Sequence, residues 1–283
     1  MTGQGAPKNL QITSTQNPRV KSLRALRQRK YRKREGRFLV EGIRIVEEAL
    51  DAGAPVETLV YAPELLVSQR ARGLVQRVEP DRRLALSGDV FGTLSGRDKP
   101  QGIAAAIRIE EPSLADLLAT QDLLVLVAYQ LRDPGNLGAI IRTADAAGAT
   151  GVVVVEPSVD LYDPQTIRAT MGSLFALPVI RLADEAVLVD WYGELRAAGL
   201  PLLVAGSSAH GLVDHFEADL CRPLVLLLGS ERQGLPLAVR EQADILVRLP
   251  MAGRATSLNV SAAAAALVYE VVRQRRTPTN PVP

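Results

Sequence analysis

Apolar residues recur along this chain in two different rhythms, and the change from one to the other divides it. Near the start, Val20, Leu23 and Leu26 stand three apart among basic residues, which predicts a helix from Pro18 with one narrow buried stripe. Residues 38–40 read as a short strand. The stretch 41–52 sets Ile43, Val46, Ala49 and Leu50 on one side of a helix, and Gly53 stands where a helix stops. Short strand and helix signals continue at 59–61, 67–76, 85–86 and 102–109. Together they predict a small α/β domain over residues 14–110, behind a disordered tail at 1–13.

Residues 111–121 hold Glu111, Pro112 and Ser113 before a short helical piece, and form the linker. Beyond it a regular alternation begins. Apolar, strand-length runs lie at 123–129, 152–155, 179–181, 202–205, 224–228 and 245–249. Helical stretches at 137–147, 165–171 and 185–198 separate the first of them, with Gly148 and Gly199 closing two. A last helix is expected over 261–276, and Pro278 and Pro281 forbid its continuation into the tail at 277–283. Near-continuous apolar strands with helices between them predict a parallel sheet covered on both faces, a second α/β domain over 122–276.

Composition narrows the class. A chain of 283 residues with 47% hydrophobic positions suits two domains, and 4% aromatic residues make base stacking a minor mode of recognition. The apolar runs fall far short of the roughly 20 residues a membrane span needs. The N-terminus lacks a charged-then-apolar secretory pattern, so a cytoplasmic protein with no membrane association is expected. Cys221 is alone and excludes an internal disulfide, while His210 and His215 give no zinc-ligand spacing, so no metal is expected.

Charge changes the picture more. The whole chain sums to only +2, yet ten basic side chains lie between Arg19 and Arg37 against Glu35 alone. The rest is therefore net acidic. A concentrated basic arm on an acidic body suits an anionic polymer, with Arg24, Arg27, Lys30, Arg32, Lys33 and Arg34 as the contacts; the alternative is a solvated helix face.

Three segments of the second domain follow strands, where parallel α/β proteins place their ligands. The first is Asp133-Pro134-Gly135-Asn136-Leu137-Gly138, with Arg142 one helical turn beyond Gly138. By itself it reads equally as a turn in which Asn136 caps a helix. The second is Gly229-Ser230-Glu231-Arg232-Gln233-Gly234, whose glycine spacing is that of a P-loop; Leu235 replaces the required lysine, which disfavours triphosphate hydrolysis. The third runs from Leu249 through Pro250, Met251, Gly253, Arg254, Ser257, Leu258 and Asn259 to Ser261. A helix cap needs one side chain, and Ser257, Asn259 and Ser261 offer three.

In this order and spacing, Asn136-x-Gly138-x3-Arg142, Gly229-Ser230-Glu231-x2-Gly234 and Pro250-Met251-x-Gly253-x3-Ser257-Leu258-Asn259-Val260-Ser261 resemble the three signature motifs of the SpoU, or TrmH-type, branch of the SPOUT methyltransferases. Asn17-Pro18-x-Val20-Lys21, Phe38-Leu39-Val40-Glu41-Gly42 and Lys99-Pro100-Gln101-Gly102 are similar to members with an N-terminal substrate-binding domain. Arg232 departs from the pattern, standing where the family commonly has glycine.

The resemblance implies a C-terminal parallel-sheet α/β domain threaded as a trefoil knot, an exception to the usual rule against knots. A small α/β RNA-binding domain resembling a ribosomal protein precedes it. It implies S-adenosylmethionine as methyl donor, held at Leu228, Gly229, Leu249 and Leu258, with Glu231, Gly253 and Asn259 close by and Met251 and Leu258 against the adenine. It implies a homodimer with a shared active site and an RNA ribose 2′-hydroxyl as acceptor. Arg142 activates that hydroxyl and clamps a phosphate, Asn136 orients it, and Ser257 and Asn259 position ribose or donor. Glu231 is either part of this machinery or an ion-pair partner. Ribosomal RNA is expected over transfer RNA, because a separate front domain occupies over a third of the chain. A catalytically silent ribosome-assembly factor and a non-RNA enzyme with a nucleotide pocket are the other classes; the basic arm has no role in the latter.

Overall fold

The computed structural model describes residues 11–230 and 233–276. The chain forms two compact units that divide between Glu110 and Glu111, with Tyr162–Ile167 grouped with the first.

The first unit holds helices α1 (Pro18–Ala25), α2 (Arg29–Glu35), α3 (Ile43–Asp51), α4 (Gln69–Gln76) and α5 (Gly88–Leu94). Its strands β1 (Arg37–Glu41), β2 (Val56–Tyr61), β3 (Arg83–Ala85) and β4 (Ile103–Arg108) form one sheet in the order β1-β4-β2-β3. β4 runs antiparallel to both neighbours, while β2 and β3 are parallel. The stripe Val20, Leu23 and Leu26 packs with Val60, Leu84, Phe91, Ala104 and Ala106.

The basic segment is two helices rather than one. Asn17 caps α1 by accepting from the Arg19 amide (2.9 Å), and Pro18 takes the first helical position, where its missing N–H costs nothing. The helix then breaks after Ala25. Arg32 turns inward from α2, is only 3% exposed, and its Nη1 donates to the carbonyls of Leu26 and Arg27, both at 2.8 Å. Those carbonyls at the end of α1 would otherwise lack partners. Arg32, expected among the RNA contacts, is thus a structural residue. The expected helix from 41 also begins later: Glu41 ends β1, and Gly42 at φ +120° makes the corner before α3.

The second unit contributes strands β5 (Leu124–Tyr129), β6 (Gly151–Val155), β7 (Val179–Leu182), β8 (Leu203–Ser207), β9 (Val213–Asp214), β10 (Leu224–Leu228) and β11 (Ile245–Arg248). The helices that follow along the chain are α6 (Pro134–Ala146), α7 (Pro164–Thr170), whose first four residues group with the first unit, α8 (Ala186–Ala197), α9 (Leu237–Gln242) and α10 (Val260–Arg276). One sheet runs β7-β6-β5-β10-β8-β11-β9. Every neighbouring pair is parallel. All residues of β5, β6 and β10 are buried, as a sheet covered on both faces requires. On one face α8 brings Leu188, Trp191 and Tyr192 against Val125, Val153, Val204 and Val225; elsewhere α10 packs along α6.

The late strands enter between earlier ones. β10 pairs with β5 through Leu224↔Leu124 and with β8 through Leu224↔Leu203, and β11 lies between β8 and β9. Arg275 in the last turn of α10 donates to the carbonyls of Asp122 (2.7 Å), Leu123 (2.9 Å) and Arg222 (2.8 Å), so it fastens that helix to the chain entering β5 and β10. Among the described residues no helix is long and apolar enough to cross a membrane.

Candidate active site

The first motif is helical rather than a loop. Asp133, not Asn136, caps α6: its Oδ1 accepts from the Asn136 amide (2.8 Å), and Pro134 fills the first position. The Asn136 side chain is therefore not needed as a cap. It is buried, and its Oδ1 accepts from Asn259 Nδ2 at 2.9 Å. Asn259 stands just before α10, where its Oδ1 accepts from the Ser261 amide (2.9 Å) and the Ser261 hydroxyl (2.7 Å). With that oxygen occupied, the amide orientation is fixed and its nitrogen must face Asn136.

The Gly229 segment closes on itself as it leaves β10. Ser230 and Gly234 exchange backbone hydrogen bonds at 3.2 and 2.9 Å, and Gly234 has φ +66°. A Cβ on Gly229 would lie 2.1 Å from the Gly234 carbonyl carbon and 2.3 Å from the Leu235 nitrogen. Glycine is thus required there by the loop's own closure. Glu231 and Arg232 lie outside the described residues.

A cavity of about 600 Å³ opens where these segments meet, lined by Gln130, Arg132, Asp133, Asn136, Ser230, Gln233 and Asn259. Gln130, Arg132 and Gln233 had no role in the sequence reading. Arg132 adjoins the first motif and could have been found by its charge; Gln130 carries no such signal. It leaves β5 with φ +52°, a left-handed conformation that costs a non-glycine residue about 1–2 kcal/mol. Such strain persists where the surroundings over-determine it, and functional sites are where it collects.

The lining is amides and a hydroxyl, with one cation, Arg132, and one carboxylate, Asp133; no histidine is among these residues. Burial, with a smaller effect from Glu185, pushes the neighbouring Tyr129 phenol far up, so it stays protonated. Such a pocket suits a sugar-phosphate, which offers hydroxyls and charge, better than a flat apolar ring.

Apolar surface lies on the third segment instead. Met251 is 36% and Leu258 46% exposed, Leu249 is half-buried, and Gly253 would meet nothing within 4 Å of an added Cβ. Leu228 is buried at the end of β10. Arg142 is exposed on α6, outside the cavity lining, with no ion pair or hydrogen bond among the described residues; Ser257 is also exposed and outside that lining. The structure therefore joins Asn136 with Asn259, while Arg142 and Ser257 are not among the residues that line the cavity.

On the basic arm, Arg27, Lys30, Lys33 and Arg34 are exposed, while Arg24 is half-buried and reaches the Thr15 carbonyl (3.4 Å). Lys30 Nζ and Arg34 Cζ lie 5.2 and 4.6 Å from the Tyr31 ring centroid. Hydrogen bonds from Arg37, then Arg34, hold the Glu35 carboxyl down at about 2. Among the described residues no group of three or more His, Cys, Asp or Glu could hold a metal.

Comparison with known proteins gives two matches along the chain: the SpoU rRNA Methylase family over residues 123–269 and the MRM3-like substrate binding domain over residues 17–105. A 23S rRNA (uridine(2479)-2'-O)-methyltransferase of Streptomyces viridochromogenes is 38% identical over 99% of this chain and 98% of its own. A 23S rRNA (guanosine(2553)-2'-O)-methyltransferase of Bacillus subtilis (strain 168) is 34% identical over 92% of this chain and 98% of its own. The crystal structure of the SpoU methyltransferase AviRb from Streptomyces viridochromogenes, in complex with the cofactor AdoMet, matches with a TM-score of 0.86 at 38% identity, covering 92% of this chain and 98% of that one.

Proposed function

The chain belongs to the SpoU rRNA methylase family, and from that premise we propose that it transfers the methyl group of S-adenosylmethionine to a ribose 2′-hydroxyl of ribosomal RNA. The observation that carries this reading is the Asn136–Asn259 hydrogen bond, which ties the first motif to the third at a polar pocket sized for a nucleotide.

Bound donor supplies a sulfonium methyl group and needs no metal. The residues fit such a molecule: Met251 and Leu258 offer exposed apolar side chains to an adenine, and the backbone at Leu228, Gly229, Leu249 and Leu258 offers hydrogen bonds. Gly253 belongs to this side of the site, and the second motif assigns Glu231 to the donor as well.

The remaining chemistry falls to the acceptor, because a ribose hydroxyl is a poor nucleophile until its developing alkoxide is stabilised. Asn136 and Asn259, joined by a hydrogen bond, orient the ribose in the pocket, and Ser257 positions ribose or donor from outside its lining. Arg142 acts as electrostatic activator and phosphate clamp. A guanidinium keeps its proton, so the hydroxyl proton leaves to the phosphate or to a water.

Arg142 lies outside the pocket of its own chain, which favours a site completed by a second copy. A homodimer also covers the exposed stripe Ala262, Ala266 and Tyr269, spaced along one side of α10. The first unit holds the RNA, with Arg24, Arg27, Lys30, Lys33 and Arg34 at the phosphates. Of the two relatives compared, one is named for a uridine and the other for a guanosine. A ribosomal RNA substrate favours the cytoplasm as its place of work.

The test offers the purified enzyme protein-free ribosomal RNA and bulk transfer RNA with labelled donor, then maps the ribose methyl group. Label on ribosomal RNA is expected. Label on transfer RNA alone overturns the substrate, and none on either overturns the activity in favour of a silent assembly factor.

A further inference from the structure

Two motifs of the first domain, residues 38–42 and 99–102, have no part in the methyl-transfer site, and the structure brings them together. Glu41 is the hub. Its carboxylate accepts from the Ser95 hydroxyl and from the Gly96 amide (3.0 Å), and its backbone carbonyl accepts from Arg97 Nη2 (3.3 Å). Beside it, Gln101 Oε1 accepts from the Ile43 amide (3.0 Å). Gly42 suits this corner because its φ of +120° strains any residue with a side chain, and a Cβ there would also press on Gln101 Oε1 (3.0 Å) and Arg97 Nη2 (3.1 Å).

The third component is the turn between α1 and α2. Arg27 Nη2 donates to the Ser95 carbonyl at 3.3 Å, and Arg32, buried beneath, holds the Arg27 carbonyl at 2.8 Å. The inward arginine thus sets the backbone from which Arg27 reaches the loop. Residues 95–101, three of them next to glycines and most of them exposed, are pinned from two sides. Exposed loops are ordinarily the mobile part of a domain.

The pinned loop and turn present three cations, Arg27, Arg97 and Lys99, against one exposed acid, Asp98; the Glu41 carboxylate is occupied by the loop itself. We infer that the loop 95–101, held by Glu41 and flanked by Arg27, is a preorganised phosphate-binding surface for folded RNA, distinct from the exposed cations of α2. The inference rests on the proposed function for its polymer. Two features favour RNA backbone over an acidic protein segment. The cations stand on a fixed backbone, as phosphates at regular spacing require, and the loop offers no apolar anchor of the kind that protein interfaces centre on.

The test uses the full-length protein and a large-subunit rRNA fragment. Arg97→Gln with Lys99→Gln, the first position half-buried and the second exposed, should lower the slope of log affinity against log salt by about 1.4–1.8, two phosphate contacts' worth. Affinity should fall by at least about fivefold near 0.15 M salt on the same account. KM for RNA should rise, with donor affinity by calorimetry unchanged. Glu41→Gln separates order from charge. Removing a negative charge beside three cations tightens RNA binding if only the field matters, and weakens it if the held loop matters, which is the expected result. Unaltered affinity and slope in the double variant, while wild type binds and methylates the fragment, overturn this inference alone. Tighter binding by Glu41→Gln overturns the ordered-loop account. Wild type that binds no rRNA overturns the proposed function and this inference with it.

Discussion

Asn259 donates its side-chain amide to Asn136 Oδ1 at 2.9 Å across 123 positions of sequence, while its own Oδ1 caps α10 through the Ser261 amide at 2.9 Å. One side chain therefore serves stability and the site at once, and the two can be separated. Asn259→Asp keeps an acceptor that ranks with asparagine as a cap, but sets an oxygen against the Asn136 oxygen. We expect melting within a degree or two of wild type and a drop in methyl transfer of about tenfold or more, as loss of one positioned hydrogen bond of about 1.4 kcal/mol gives. Asn259→Ala should lose both, with a further stability cost of about 0.5–2 kcal/mol. Near-normal turnover by Asn259→Asp would remove the orienting role.

Arg142→Ala is expected to abolish transfer while leaving donor affinity within about twofold, since the residue is exposed and lies outside the cavity lining. Arg142→Lys should also be poor, because a point charge cannot reproduce a planar fork. Mixing Arg142→Ala with Asn136→Ala subunits should restore part of the activity if each pocket draws on two chains. Light scattering that gives a mass near the 30.4 kDa of one chain would contradict the dimer.

Gly229 and Gly253 should respond in opposite ways to alanine. At Gly229 the new methyl meets backbone at 2.1 Å, which no side-chain rotation can relieve; at Gly253 nothing lies within 4 Å. Gly229→Ala is expected to destabilise by about 1–3 kcal/mol, the usual range for overpacking, and to weaken donor binding at least tenfold. Gly253→Ala should bind within about twofold of wild type. Calorimetry with S-adenosylmethionine reads both, and equal behaviour would show that the Gly229 turn is not what shapes the donor site.

The Glu35 carboxyl, held at about 2 against an ordinary 4.5 by Arg37 and then Arg34, ties the second basic helix to β1. A depressed folded-state value favours folding above the unfolded one and ceases to as pH falls through the folded one. The melting difference between wild type and Glu35→Gln should be full at pH 7, shrink below about 4.5 and vanish near 2. A difference independent of pH would assign the effect to packing.

Much of this was legible from residue pattern alone, because strands and helix ends are written locally. The run Leu224–Leu228 is a strand for its apolar content, and Gly148 and Gly199 end helices because they take positive φ, +71° and +86°. What escaped depended on partners far away. The basic arm showed a single helix until Arg32, alike in type to its exposed neighbours, was found spending its donors on the carbonyls of Leu26 and Arg27. Asn136 and Asp133 compete as caps with nearly equal propensity, and only the hydrogen bond from Asn259 shows why the aspartate takes the post. Gln130 reached the cavity through a backbone twist that its identity does not encode.

The grip of Arg275 on Asp122, Leu123 and Arg222 has a bearing on when the protein can work. The strand entered after Asp122 is the first of the catalytic unit to be synthesised, and the arginine that secures it is among the last described residues. Neither that strand nor β10 gains this anchor while the final turn of α10 is still inside the ribosome. Arg275 and Asn259 stand at opposite ends of one helix, so the anchor of the first strand and the cap that meets Asn136 are both brought by the last helix described.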